Sequence, residues 1–417
     1  MRISHLGAAA ALIAPLAIAQ PAAATPGDPV KVSDGLTIDP IIDGRLRYEA
    51  VNQNATVADA LTMRLRAGAE FKMHNLSLLA EAEGTLGIVN DYNAFPFAVA
   101  SRQRRPQYST VADPMNVELN RLQLQYRGKA ATVTLGRQRI NLDDQRWVGA
   151  GAWRQNEQTF DAVRAEAKFG PVALDGAYVV SQRTIYGIDA GPRQSYDGDS
   201  YFAGASAKIG PVNAKGFAYV LDYDESVVFA NSSVTLGGRV TAALPLSSDV
   251  SVNLAASFAR QSDHGRNPVE YSADYGALEA ALTAYGFTVT VGWESLGSDA
   301  NAAGGASRAV QTPMATLHKF NGWADIFLTT PNKGLRDLYF GGAYKFDKVK
   351  ALPGLNAAVV WHRFDSDVGG TRYGEEWDGS LGFKLGRYAI LGKYANYDAK
   401  GFGLDTEKLW LQVEMGY

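Results

Sequence analysis

From Leu61 to Met73 the chain changes character at every step. Leu61, Met63, Leu65, Ala67, Ala69, Phe71 and Met73 alternate with Thr62, Arg64, Arg66, Gly68, Glu70 and Lys72. A period of two puts successive side chains on opposite faces of a strand, here one apolar and one polar. The same alternation runs through 234–244, 250–258, 287–294 and 377–385, and it closes the chain in 409–417, where Leu409, Leu411, Val413, Met415 and Tyr417 share one parity. These strands are roughly ten residues long, the length at which a tilted strand crosses a bilayer.

The connections alternate too. Short ones fall near 74–75, 127–129, 169–171, 209–211, 245–249, 284–286, 347–354 and 386–387. Between them lie longer polar stretches at about 51–59, 85–115, 141–158, 183–199, 223–232, 261–270, 297–336, 365–375 and 398–404. Short turns on one side and long loops on the other are the signature of an outer-membrane barrel. Lipid offers no partner to backbone N–H and C=O groups, so strands span it only as a closed cylinder without an edge. Eight short turns and nine long loops predict an all-β fold, a transmembrane antiparallel β-barrel of 18 strands with both termini periplasmic. Residues 323–337 also admit a strand, which would make the count odd. They are placed instead in one long loop that folds inward or over the mouth.

The N-terminus fits that compartment. Arg2 precedes an apolar run from Leu6 to Ala19 that ends in a small-x-small pattern, as in a secretory signal peptide. The predicted organisation is a signal at 1–19 (with cleavage after 24 as the alternative), a short periplasmic segment at 20–40, and the barrel over 41–417. The expected location is the Gram-negative outer membrane. The last strand must then pair with the first, near 42–50, and its terminal aromatic suits recognition by the barrel assembly machinery. Mean hydropathy is −0.15, Gly numbers 43, Tyr 20 and Cys 0. With no cysteine there is no disulfide framework and no thiolate chemistry. A net charge of −3 gives no footprint for nucleic acid.

Charge decides which face of the barrel is wet. A charge on the lipid face at midplane costs about 2–4 kcal/mol, so the polar parity points inward. That places Arg45, Arg47, Arg64, Arg66, Lys72, Arg121, Arg164, Arg239 and Lys384 in the lumen, together with Asp43, Glu49, Glu70, Glu166, Asp175, Glu294 and Asp378. Between 101 and 168, twelve Lys and Arg face seven Asp and Glu. Such a surplus either attracts an anionic solute such as a uronic-acid sugar, or pairs with lumenal acids to stiffen the wall, with some arginines left to bind lipopolysaccharide outside.

Residues 135–170 contain Gly136-Arg137-Gln138, an acidic turn followed by Arg146, then Trp153-Arg154-Gln155 and Thr159-Phe160-Asp161. This stretch resembles the alginate-export porin family of Gram-negative outer membranes, and 316–346 is similar to the family's second signature. The resemblance implies a monomeric 18-stranded barrel whose arginine-lined pore passes an anionic polysaccharide outward, or, in other members, takes up other small solutes, with a periplasmic export or uptake complex as a further partner. It marks Arg137, Arg139, Arg146 and Arg154 as constriction candidates, with Asp161 as an orienting partner. Arg137 and Arg139 share the parity of Val133 and Leu135, so either a bulge shifts the register or they stand above the membrane.

Enzymatic chemistry finds no foothold. No phosphate loop, HExxH or nucleophile elbow is present. His74, His264, His318 and His362 are scattered over a turn, two loops and a strand end, which predicts no metal site. Ser366 and His362 are too far apart along an extended chain to act as a pair. No cofactor is expected. Phe287, Trp293, Trp377, Tyr388 and Tyr417 suit interfacial girdles, whereas Tyr339 and Trp410 have inward parity. The resulting expectation is a passive channel, not an enzyme, whose other contacts are outer-membrane lipid and lipopolysaccharide.

Overall fold

The computed structural model describes residues 29–302 and 308–416. The proposed signal segment and Tyr417 therefore lie outside the described residues. A short strand, β1 (Val30–Ser33), pairs only with the start of the next. Eighteen strands follow: β2 (Leu36–Gln53), β3 (Thr56–Met73), β4 (Leu76–Asp91), β5 (Asn116–Arg127), β6 (Ala131–Gln138), β7 (Thr159–Phe169), β8 (Val172–Arg183), β9 (Ser195–Ile209), β10 (Val212–Leu221), β11 (Ser233–Pro245), β12 (Val250–Asp263), β13 (Ser272–Ala284), β14 (Phe287–Leu296), β15 (Leu335–Lys345), β16 (Asn356–Asp365), β17 (Arg372–Leu385), β18 (Tyr388–Ala399) and β19 (Thr406–Gly416). Each pairs antiparallel with its chain neighbours, and β19 pairs with β2 from Glu407↔Asn52 to Gly416↔Asp43. That last ladder closes the cylinder and removes both edges. The first barrel strand begins at Leu36 rather than at 41, and β1 folds back against it.

All eight predicted short turns fall on one end, and both described chain ends lie there too. On the other end eight of the nine predicted loops are present. The exception is the first. The expected loop at 51–59 is a two-residue turn, Asn54-Ala55, with Gln53 paired to Thr56 and Asn54 at φ 49°. Residues 297–334 hold no barrel strand among those described, only the short 3-10 turn Leu317–Lys319. Residues 323–334 thus form no extra strand and the even strand count stands, although 335–337 of the expected loop already belong to β15. Among the described residues no helix is long and apolar enough to cross a membrane.

The outer surface carries the apolar parity. Leu65, Leu124, Leu135, Phe258, Val289 and Leu411 are each about half exposed, as lipid-facing residues of a lone chain must be. The polar parity faces inward and is buried, with Arg47, Glu83 and Asp378 almost fully covered. What covers them is the chain itself. Loops 139–158 and 297–334 turn into the lumen, where Ile140, Leu142, Val148, Trp153, Val310, Met314 and Phe327 pack with wall aromatics such as Phe364, Tyr397 and Trp410. Over its middle the lumen is thus partly filled by these loops rather than an open column of water. Loop 92–115 instead caps the tall β2–β3 hairpin through Tyr92, Phe95 and Val111 against Val51, Ala58 and Ala60.

Candidate functional site in the lumen

The two inward loops are tied to the wall on nearly every side. Arg45, on β2, pairs with Glu414 of β19 and donates to the carbonyl oxygens of Trp153 at 2.9 Å and Arg154 at 3.0 Å. Arg47, two residues on and on the same face, donates to Gln412 at 2.8 Å and lies 4.1 Å above the Trp153 ring. Its second guanidinium nitrogen is 3.6 Å from Asp113. Arg154 reaches back to Glu49 of β2 at 3.2 Å and across to Asp325 of the other loop at 2.6 Å.

On the adjoining wall Arg64 pairs with Asp43, and Arg66 pairs with Glu83. Arg66 also meets Glu157 at 3.3 Å. Arg121 meets Glu81 at 2.7 Å, and Arg139 contacts both Glu157 and Glu81. Burial would push the Glu157 carboxyl up, but Arg139, Arg66 and Arg121 together hold it down to about 2. Across the lumen Arg146 meets Glu294 at 2.8 Å, and Arg239 meets Asp144 at 2.8 Å. Asn321 joins the loop to the wall by donating to Glu294 at 2.7 Å and Asp337 at 3.2 Å.

Every arginine among the predicted site residues is thus in an ion pair. The positive surplus counted along 101–168 is offset by Glu49, Glu81, Glu294 and Asp325, acids remote in sequence that the fold brings to the same arginines. Of the two readings of those arginines, wall stiffening is the one these contacts fit. Two predicted residues face away from the pore. Arg137 and Asp161 bond each other at 2.8 Å, directly opposite each other in the β6–β7 ladder. Arg137 also stands opposite Leu122, which is exposed on the outer face. They belong to the outer surface near the loop end, because the parity of Val133 and Leu135 continues unbroken. Arg139 turns inward only after β6 has ended. Arg164 lies lower, toward the short turns, bonded to Glu166 at 2.8 Å.

A second group was not expected from sequence. His318 stacks on Trp153 at 4.2 Å with an interplanar angle of 5°. Its Nδ1 donates to Asp325 at 2.7 Å, and its Nε2 accepts from Lys393 of β18 at 2.8 Å. The Lys393 ammonium is 3.7 Å from the Trp323 ring centre and 4.2 Å from that of Trp153. Burial and Lys393 hold the His318 imidazole well below its ordinary pKa against the pull of Asp325. It is therefore neutral at pH 7. Asp325 is held well below the usual carboxylate range against its burial, by Lys408, His318 and Arg154. His318 and Lys393 are 75 residues apart, so no local spacing could have joined them. His362 is likewise buried, bonded to Asp337 at 2.9 Å. Ser366 bonds instead to the backbone of Thr371, so the two form no pair. Among the described residues no group of three His, Cys, Asp or Glu is arranged to hold a metal ion.

The comparisons with known proteins agree with this geometry. Solved structures of similar shape include OpdK of Pseudomonas aeruginosa, described as an outer membrane protein, at 15% identity and TM-score 0.67, covering 91% of this chain and 98% of that one. OccAB2 of Acinetobacter baumannii matches at 13% identity and TM-score 0.69, covering 92% and 98%. The chain has the closed-barrel fold of these outer-membrane proteins. The family model described as alginate export matches residues 44–187, which span most of β2 through β8 and the first inward loop. The block at 316–346 lies outside that match. A further solved structure is OpdK with vanillate, at 14% identity and TM-score 0.67. No curated protein matches the chain.

Proposed function

We propose that this barrel is a passive outer-membrane channel for anionic saccharides, with its short turns facing the periplasm and its two inward loops setting the size limit. The observation that carries the reading is the lumen itself: a closed 18-strand cylinder whose polar interior holds guanidinium groups in carboxylate pairs around two loops. A guanidinium already paired to Glu or Asp can trade that partner for a solute carboxylate of the same geometry, so an anion can pass along the wall without entering apolar surroundings. The match of residues 44–187 to the alginate-export model supports an acidic sugar as the solute. The barrel closes on itself without a partner chain and is read as a monomer.

Purified protein in planar bilayers should conduct ions, and a uronate oligosaccharide should interrupt the current in a concentration-dependent way. A barrel that carries no current at any voltage would overturn the channel. Current that neutral and acidic sugars interrupt equally would overturn the preference for anions. A second reading, uptake of small carboxylates, is favoured by the loops. Asp325, Asn321 and Arg146 tie them across the lumen, leaving little width for a polymer. Block by monomeric but not oligomeric carboxylates would select that reading.

A further inference from the structure

The arginines of the middle lumen are all neutralised, yet another set of cations is not. At the short-turn end, one backbone N–H of a strand repeatedly donates to a carbonyl of the preceding short turn. Arg127 donates to Asn75 at 2.8 Å, Lys168 to Ala130 at 2.8 Å and Lys208 to Pro171 at 3.0 Å. Lys345 donates to Gly286 at 3.0 Å, and Lys384 to Pro353 at 2.9 Å. The rung is filled by a different residue on other strands, among them Ala243 and Tyr285. Five of these structurally equivalent positions therefore carry Lys or Arg.

All five point inward. Tyr126, Phe169, Ile209 and Leu385, the chain neighbours of four of them, are exposed on the lipid side, and alternation turns the next residue to the other face. Lys345 has the opposite parity to Phe340, which is also exposed outside. None of the five forms an ion pair among the described residues; Arg127 bonds only the amide oxygen of Gln125, at 2.8 Å. Between β5 and β8 the ring opens into a recess of 540 Å³ that lies beneath loop residues Asn141 and Asp143. Arg127, Lys129 and Lys168 line it without acidic partners, whereas its carboxylates are already engaged: Asp143 and Asp175 by Lys215, and Glu166 by Arg164. Arg127, Lys168 and Lys208 stand two strands apart, about 10 Å from one to the next.

We propose that this ring is an anion-capture collar at the periplasmic mouth, which binds successive carboxylates of an acidic polysaccharide before it reaches the loops. The proposal rests on the channel reading and adds to it a place and a direction. Unpaired cations around a low-dielectric mouth concentrate polyanions and speed their encounter, an effect that salt weakens. Inward orientation favours a solute over the anionic headgroups of the surrounding leaflet, which the lipid-facing parity would meet.

The test uses the full barrel inserted in one orientation, with trigalacturonate as the probe, and a triple variant, R127Q/K168Q/K208Q. In 0.1 M salt the wild-type channel should be blocked more often when the probe is on the short-turn side. The variant should lower that frequency roughly tenfold and leave block from the other side unchanged. Raising salt to about 1 M should have the same effect on the wild type. Equal frequencies from both sides, or no change in the variant, would overturn the collar. So would a variant that alters only retention on phosphatidylglycerol vesicles. Binding of the probe to detergent-solubilised barrel is the second measurement. If it is present in the wild type and weakened in the variant, the collar stands even where bilayers show no current, an outcome that sinks the channel reading alone.

Discussion

Glu157 shows how one carboxylate can govern both stability and charge in this lumen. It is fully buried, contacts Arg66 and Arg139, and accepts from Asn120 at 2.6 Å. Removing one partner of a buried ionic cluster leaves the other charge without compensation, at about 3–5 kcal/mol. E157Q should therefore lower the midpoint of urea unfolding in lipid. It should also move the reversal potential in a salt gradient toward anions, because Arg66 and Arg139 lose a shared counter-charge. Its pKa gives the pH window. An ordinary Glu titrates near ~4.3, and Glu157 is held down to about 2. The unfolded chain binds this proton first as pH falls, so the stabilisation is complete above roughly pH 4.3. It is lost as pH drops through about 2. The wild type should lose stability across that window more steeply than E157Q. Identical acid profiles would remove Glu157 from this role. Nothing near Glu157 in sequence shows these partners. The alternation places Arg66 in the lumen, but only the closed barrel brings it to the same depth as a loop 91 residues later.

At the level of elements, the joint between the two loops is a stack rather than a salt bridge alone. Trp153 of loop 139–158 stacks on the ring of His318 and also meets the cations of Arg47 and Lys393. Stacked rings contribute about 0.5–1.5 kcal/mol beyond area burial, and desolvated cation–π contacts about 2 kcal/mol. W153A should loosen loop 297–334 while changing no residue of a barrel strand. The expected record is a larger and noisier single-channel current with unchanged assembly. Acid should act on the same joint. His318 is bound in its neutral form, between the Asp325 carboxylate and the Lys393 ammonium, with Arg154 and Lys408 also facing Asp325. Because its folded pKa is depressed, docking is complete above the ordinary His pKa of ~6.5 and weakens as pH falls below it. Current noise should rise from pH 7 to pH 5 in the wild type and rise less in H318F. A flat wild-type profile over that range would exclude the imidazole as the sensor. Elements were legible where a bilayer imposed two unlike faces. The hairpin tip at 51–59 was misread because it stands above the membrane, where polar Asn52, Gln53, Thr56 and Asp59 are tolerated in a paired strand and alternation loses its meaning. Arg137 is marked for the pore by the family resemblance alone; its parity points outward, where a guanidinium is tolerated only beyond the apolar belt.

The whole molecule is a claim about two solvents, and β12 offers the sharpest place to test it. Val252, Leu254, Ala256 and Phe258 share the outward parity, and Arg260 is the first charge on that row. Leu254 thus sits near the middle of the apolar stretch, whereas its neighbour Asn253 faces the lumen at the same depth. Asn253 lies opposite Ala243 and Ala281, on the wall far from both Arg47 and the loop stack. An arginine costs about 2–4 kcal/mol at the lipid midplane and little where water reaches it. L254R should lose stability by that amount in urea titrations of the barrel folded into phosphatidylcholine vesicles. N253R should fold within about 0.5 kcal/mol of the wild type and shift the reversal potential toward anions. The two substitutions add the same side chain one residue apart, so propensity, size and net charge cancel in the comparison. Only the medium on each face remains. Equal penalties at both positions would mean that the interior of β12 is as dry as its exterior, and the water-filled passage on which conduction depends would be lost with it.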